Sequence, residues 1–401
     1  MGVFWSSDDS YMGKEIFKLE KGFCLLINKK EMKRTIGINI LILAVLLILT
    51  NIASYFILQF YTNKYLQKFA NLESQTNERY SEINEEFNQL ETEYQPFIAW
   101  KRKPIINKWN NIDSIGNRVT VQQNPDSEKV IRFFGGSTMW GALVDDFNSI
   151  PSHFGKCISE YRIINNGETG YNSRQSLALF SNLLIKQEPT EVVIFYDGVN
   201  DIEHLCRKKI SVPGHAREVQ MREELITVNS TSSYFRGKDG IFGLSEKLVS
   251  KIFFENTLIV VRKIHGKIFK KPPVNPYCCE SNLDRANAVA NHLLNTWKIA
   301  HQLAKENGIQ FIAILQPNIY IGKQKESYSE LERIDSLDEN FKEVYGILKE
   351  KIVGYDWIYD FTEIFDEIEN PLYFDFCHIN EQGNEIVANQ ICEIVEQLNT
   401  K

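Results

Sequence analysis

The chain has 401 residues, 43% of them hydrophobic and 24% charged, with a formal net charge of −7. That length holds two average domains or one domain with appendages, and the composition suits a body with a packed core. No long Lys/Arg tract is present, which excludes nucleic acid as an expected partner.

Residues 1–34 form a polar tail of mixed charge, expected in the cytoplasm. Residues 35–60 read as a transmembrane helix, because 36–58 (IGINILILAVLLILTNIASYFIL) carries no charge. At about 1.5 Å per residue it spans a bilayer core of roughly 30 Å. The run is too long and begins too late for a cleaved signal peptide. Lys29, Lys30, Lys33 and Arg34 precede it closely, with Lys18 and Lys21 further back, while Lys64 and Lys68 follow it. This bias places the N-terminus inside and everything after residue 60 outside, as a single-pass, signal-anchored protein of the inner or plasma membrane. Tyr55, Phe56, Phe60 and Tyr61 fit an outer interfacial belt.

Residues 61–95 are rich in Glu, Gln and Asn and lack Gly and Pro. Leu66, Phe69, Glu73, Thr76, Tyr80, Ile83, Phe87, Leu90 and Tyr94 alternate three and four apart, a heptad seam imperfect in its middle. Two readings fit. Either this is a coiled-coil stalk that pairs with a second copy, or one amphipathic helix lies on the catalytic body. Pro96 ends the helix. Residues 96–127, with Trp100 and Trp109, are a lead-in expected to cover one edge of the next domain.

The globular domain spans 128–398. Strands are expected near 129–134, 161–165, 191–196, 309–315 and 356–360. Helices are expected near 173–187, 283–306, 337–351 and 381–398. Short apolar strands alternating with helices predict a parallel sheet covered on both faces. Residues 203–280 break that rhythm and read as an insertion, a lid or a partner surface. The seven cysteines are Cys24, Cys157, Cys206, Cys278, Cys279, Cys377 and Cys392. No Cys-x-x-Cys spacing occurs, so neither a zinc site nor any other cofactor is expected. At least one disulfide is expected outside the membrane, with Cys206, Cys278, Cys279 and Cys377 as the favoured partners.

The chemistry concentrates where apolar runs end. Residues 128–141 (EKVIRFFGGSTMWG) read as a strand, a tight glycine turn and a helix start that presents Ser137. Alone, Ser137 fits a helix N-cap as well as a nucleophile. A nucleophilic serine needs a base, an orienter for the base and donors for the oxyanion. Asp375 stands three residues before His378, a spacing from which a carboxylate reaches the imidazole and fixes its tautomer. After the second strand, NNGETGYNS at 165–173 offers the Gly170 N–H. After the third, DGVND at 197–201 offers the Asn200 amide. In a doubly wound sheet these loops converge on one rim.

The set resembles the SGNH (GDSL-like) hydrolase superfamily over roughly residues 128–398. GGST at 135–138 is similar to the first block, with Gly136 in place of the usual Asp. The stretch 165–173 is similar to the second block, DGVND to the third and DFCH at 375–378 to the fifth. The resemblance implies a flavodoxin-like three-layer αβα sandwich with about five parallel strands. It also implies a serine ester hydrolase that uses no metal. Ser137 is then the nucleophile, His378 the base and Asp375 its orienter. Ser137 N–H, Gly170 N–H and the Asn200 amide form the oxyanion hole. Asp201 is expected to hold its loop, and Glu168, Tyr171 and Asn172 are weaker candidates for substrate contacts. An acylated small molecule or glycan is the expected substrate, with the bilayer as partner through one helix and a homo-oligomer through the stalk as a further option. The rivals are an O-acyltransferase acting on exported polysaccharide and a non-catalytic scaffold of the same fold. An α/β-hydrolase elbow fails because Met139 stands where Gly is required. Dinucleotide and Walker loops fail on glycine spacing.

Overall fold

A computed structural model describes residues 31–58, 60, 76–121, 124–223, 225, 257, 276–323 and 335–399. The chain divides into two compact units, Met1–Tyr65 with Ser232–Pro273, and Leu66–Thr231 with Val274–Lys401. In the first unit, helix α1 (Glu31–Leu58) is long and apolar enough to cross a membrane. Ile40, Leu41, Leu46 and Phe56 are exposed along it, whereas a core helix buries such side chains.

The second unit begins with helix α2 (Thr76–Gln89) and an antiparallel hairpin of β1 (Thr92–Gln95) and β2 (Ala99–Arg102). Here the structure corrects the expectation of one helix over 61–95. Residues 61–75 lie outside the described residues, and the helix stops at Gln89, before Pro96. The Leu90 carbonyl is taken by the Arg102 guanidinium at 3.1 Å, and Glu91 O by Lys103 N at 3.0 Å. Pro96 sits in the hairpin turn, beside Phe97 at φ 66°. The seam residues of α2 face their own body. Ile83 is fully buried, Tyr80 meets Phe374 edge-on at 5.1 Å, and Phe87 meets Trp140 at 5.3 Å.

Next come five parallel strands: β3 (Val130–Gly135), β4 (Arg162–Asn165), β5 (Val192–Asp197), β6 (Gln310–Leu315) and β7 (Ile358–Asp360). Their order across the sheet is β4-β3-β5-β6-β7, the flavodoxin-like order. Every residue of β3 and β5 is buried, as a central parallel strand covered on both faces requires. The one charge inside β3, Arg132, reaches off the sheet to Thr190 Oγ1 at 2.9 Å and to the Pro189 carbonyl.

Helices α3 (Ser137–Trp140), α4 (Ile150–Cys157), α5 (Ser173–Ile185), α6 (Val199–Leu205), α7 (Leu283–Glu306), α8 (Asp335–Ile352) and α9 (Glu381–Asn399) complete the unit. Helix α4 packs on α9, while α7 packs on α5, α8 and β6. Right-handed crossovers put these two groups on opposite faces, which gives the three layers. Sequence sets the starts: Ser149 caps α4 through Ser152 N, and Asn172 with Gln175 forms a capping box on α5. The lead-in covers the β4 edge through an antiparallel bridge between Arg118 and Asn165.

Helix α6 occupies 199–205, so the insertion begins at Cys206 and not at 203. Its neck is closed by the Cys206–Cys279 disulfide, with Cα atoms 5.3 Å apart, and by Cys278 N donating to Cys206 O. Most of residues 224–275 lie outside the described residues. A second disulfide, Cys157–Cys392, joins α4 to α9. Cys278 and Cys377, both favoured as partners from sequence, are free thiols. Helix packing, invisible in cysteine spacing, decides the α4–α9 pair, and Cys377 is turned into the core.

Replacing Ile83 with Ala should cost about 2–5 kcal/mol of stability by leaving a cavity under α2. Denaturant titration of the full chain in detergent, followed by tryptophan fluorescence, measures it. An unchanged midpoint would show that the seam faces away from the body.

Candidate active site

Ser137 is positioned by a close approach of backbones. A Cβ on Gly135 would lie 2.5 Å from Tyr196 O, and one on Gly136 would lie 2.1 Å from Asn200 Nδ2 and 3.2 Å from Tyr171 O. Only glycine lets β3 end this tightly against the loops after β4 and β5. The chain then turns into α3, whose first residue is Ser137, and leaves it through Gly141 at φ 90°. A helix of one turn cannot hold itself. Trp140, its last residue, is fixed from outside: the Arg118 guanidinium lies 4.3 Å and that of Arg102 5.5 Å from its ring. Arg118 also donates to Trp140 O, Gly141 O and Val144 O and pairs with Asp146 at 2.9 Å. From the β6 end, Gln316 Nε2 donates to Thr138 Oγ1 at 2.8 Å.

Between β7 and α9 a tight turn carries the other partners. Phe374 N bonds His378 O at 2.8 Å, which folds residues 374–378 back on themselves. Asp375 Oδ1 accepts from the backbone N–H groups of Cys377 and His378 at 2.9 and 2.7 Å. Asp375 Oδ2 meets His378 Nδ1 at 2.6 Å, and His378 Nε2 meets Ser137 Oγ at 2.7 Å. Residues 241 apart in sequence thus share one hydrogen-bonded chain.

The electrostatics derive from that chain. Burial works against the charged imidazole, but the Asp375 carboxylate, by charge and by hydrogen bond, holds His378 well above the ordinary histidine value. Burial also disfavours the Asp375 carboxylate, yet His378 and the two backbone donors bring it below the usual carboxylate value. Such a pair keeps the imidazole oriented and stabilises its protonated form.

Asn200 lies in the first turn of α6, after Gly198 at φ 126°. Its Nδ2 donates one hydrogen to Tyr171 O at 2.7 Å, which leaves the second amide hydrogen for another acceptor. Gly170 sits at φ 77°, a conformation that favours glycine. Neither Ser137 N–H nor Gly170 N–H donates to an acceptor among the described residues. Gly136, Tyr171 O and the Asn200 amide meet at one point, with Gly170 one residue away. Asp201 is fully buried and braces this loop, accepting from Ser173 Oγ at 2.6 Å and Ser173 N at 3.1 Å.

The three weaker candidates for substrate contacts are structural. Glu168 is buried against Arg102 and also accepts from Thr169 N. Tyr171 is buried, its ring edge-on to Trp100 at 5.4 Å and its hydroxyl on Trp100 O. Asn172 caps α5 and donates to Gly214 O at 2.8 Å. Each saturates its polar groups internally, so none is free for a ligand. Sequence reading missed Gln316, whose only signal is a polar residue at the end of an apolar strand. It also missed Arg102 and Arg118, basic residues of a kind that usually stays at the surface.

No family model matches the sequence, and no curated protein matches it. Solved structures do. A member of the lipolytic protein G-D-S-L family from Veillonella parvula is 16% identical, with 66% of this chain and 97% of that chain covered and a TM-score of 0.36. An acetylxylan esterase from Geobacillus stearothermophilus is 14% identical, with 67% and 95% covered and a TM-score of 0.34. A carbohydrate acetylesterase from Sinorhizobium meliloti is 12% identical, with 67% and 99% covered and a TM-score of 0.35. The chain is similar to these; its fold is read from its own strand pairing.

If the neutral imidazole of His378 is the working base, turnover grows as pH rises through its raised pKa and is lost below it. The acid limb of kcat/KM should therefore lie above the ordinary histidine range of about 6.5. Asp375→Asn should shift that limb toward acid and cost roughly 10³–10⁴ in turnover. A limb near pH 5 in the unmodified chain contradicts the charge assignment.

Proposed function

We propose that the chain is a membrane-anchored serine esterase that removes acyl groups, acetyl above all, from a carbohydrate outside the cytoplasm. The observation that carries this reading is the unbroken chain Ser137 Oγ–His378 Nε2 at 2.7 Å and His378 Nδ1–Asp375 Oδ2 at 2.6 Å. In this reading His378 takes the serine proton while Ser137 Oγ adds to the acyl carbon. The oxyanion is held by Ser137 N–H, Gly170 N–H and the Asn200 amide. The start of α3 adds a favourable field for the negative charge. Collapse breaks the ester C–O bond, and His378 returns the proton to the departing alcohol. Water then repeats the sequence on the acyl-enzyme and releases the acid.

The setting supports the location. Helix α1 meets the length and polarity of a membrane span, and lysine bias directs the chain beyond α1 outward. Two disulfides in the second unit suit an oxidising compartment. Ser137 and His378 are half-buried at the sheet rim, a placement that admits a substituent on a bulky acceptor. A tethered domain outside the cytoplasm meets exported glycans, and this is the ground for the carbohydrate.

The purified full chain should release acetate from an O-acetylated glycan and hydrolyse p-nitrophenyl acetate. Ser137→Ala should abolish both activities, and Asn200→Ala should lower turnover by roughly 10²–10³. Turnover of the small ester without acetate release from glycans would remove the carbohydrate and leave the esterase. Undiminished turnover by Ser137→Ala would remove both.

A further inference from the structure

The turn that carries Asp375 and His378 holds a third side chain that the acyl-transfer chemistry does not use. Cys377 is buried, and its Sγ lies 3.7 Å from His378 Nδ1. The sulfur, the imidazole nitrogen and a carboxylate oxygen of Asp375 all lie within 4.8 Å of one another. We propose that this turn binds a thiophilic divalent cation of the Zn²⁺/Cd²⁺ class, and that the bound cation switches the catalytic histidine off.

The donor types are those such cations take, a thiolate, an imidazole and a carboxylate, with water in the fourth position. Bonds of about 2.0–2.3 Å in a tetrahedron put donors roughly 3.3–3.8 Å apart. The Sγ–Nδ1 separation of 3.7 Å already meets that spacing. The Oδ2–Nδ1 pair at 2.6 Å is closer, and opens by less than about 1 Å when the carboxylate swings away from the ring. Oδ1 stays on its two backbone donors, so Oδ2 is the oxygen that moves. The Asp375 and His378 side chains are 12% and 19% exposed, which gives a cation and its water a way in. Cys377 supplies the soft ligand from below. A search for Cys-x-x-Cys spacing misses this set, because one short turn carries all three donors.

Coordination acts on catalysis through the tautomer, and in this respect the inference rests on the esterase reading. Starting from the neutral imidazole, the single ring proton moves through solvent from Nδ1 to Nε2, the Sγ proton leaves to solvent, and metal–nitrogen and metal–sulfur bonds form. No electrons are transferred. The imidazole keeps one proton, on Nε2, the nitrogen that faces Ser137 Oγ at 2.7 Å. An Nε2 that carries this proton has no lone pair with which to take another. The hydrogen bond from Nδ1 to Asp375 is lost in the same event.

The test uses the full chain with Cys24→Ser and Cys278→Ser, so that Cys377 is the one thiol outside the two disulfides. Titration with Cd²⁺ should raise the ultraviolet thiolate-to-metal absorbance, saturating at a single equivalent, while p-nitrophenyl acetate turnover falls in parallel. The same absorbance should appear with Ser137→Ala added, where no turnover is measured, which separates cation binding from the esterase reading. Cys377→Ala keeps the backbone bond to Asp375 Oδ1 and removes only the sulfur ligand, so the turnover it retains should be at least about tenfold less sensitive to the cation. If that variant does not fold, the absorbance in the Cys377-containing chain decides. Absence of the band, or undiminished inhibition of folded Cys377→Ala, overturns the proposal.

Discussion

Everything in the site depends on how closely the backbone at Gly136 can approach Asn200. The β3 and β5 strands pair until Gly135 faces Tyr196, and beyond them the Gly136 backbone meets the Asn200 side-chain amide directly. Any Cβ at 136 would occupy the Asn200 amide, and displacing that amide would break its bond to Tyr171 O. The proposed nucleophile, the proposed oxyanion donor after β5 and the loop after β4 therefore share one contact. Glycine at 136 has its physical reason here, since the space a side chain would need holds the amide. This junction is also the point where the strand order reverses: the chain leaves β3 for β4 on one side and β5 for β6 on the other, which opens a crevice between their ends.

A second constraint comes from outside the sheet. Helix α3 is one turn long and is held by the residues that precede the domain. Phe87, Arg102 and Arg118 close around Trp140, and Arg102 ties Leu90 O, Glu168 and Thr169 into the same cluster. Two buried guanidinium groups are costly to desolvate; Arg102 is met by Glu168, Leu90 O and Thr169 Oγ1, and Arg118 by Asp146 and three backbone carbonyls. The lead-in is thus part of what holds the candidate site together. It fixes the position of Ser137 along β3 and the conformation of the loop that offers Gly170.

Much of this was legible in the sequence where local pattern and tertiary role agree. Buried parallel strands read as continuous apolar runs, so β3, β5 and β6 fall within a residue of expectation. Helices α5, α7 and α9 keep to their amphipathic periods. The residues at strand ends were legible because open α/β sheets bring those ends together. What stayed hidden depends on distant partners. The break of α2 at Gln89 goes with Arg102 taking the Leu90 carbonyl and with β1 pairing on β2, while the helix pattern itself continues through 90–95. Glu168 and Tyr171 look like site residues from the loop they occupy, and only the buried Arg102 and Trp100 show that they are braces. The Cys157–Cys392 bridge records the packing of α4 on α9, which spacing does not encode. Cys377 reads from the sequence as a disulfide partner, and the structure leaves it a free thiol. Its place beneath His378 emerges only once the turn at 374–378 is closed.

The central claim is that Ser137 is a nucleophile activated by His378. A serine-directed fluorophosphonate with peptide mass spectrometry as the readout tests it most directly. One adduct is expected, on Ser137, formed much more slowly in His378→Ala and absent in Ser137→Ala. An unlabelled Ser137 in a folded, unmodified chain, or an adduct confined to another serine, would contradict it.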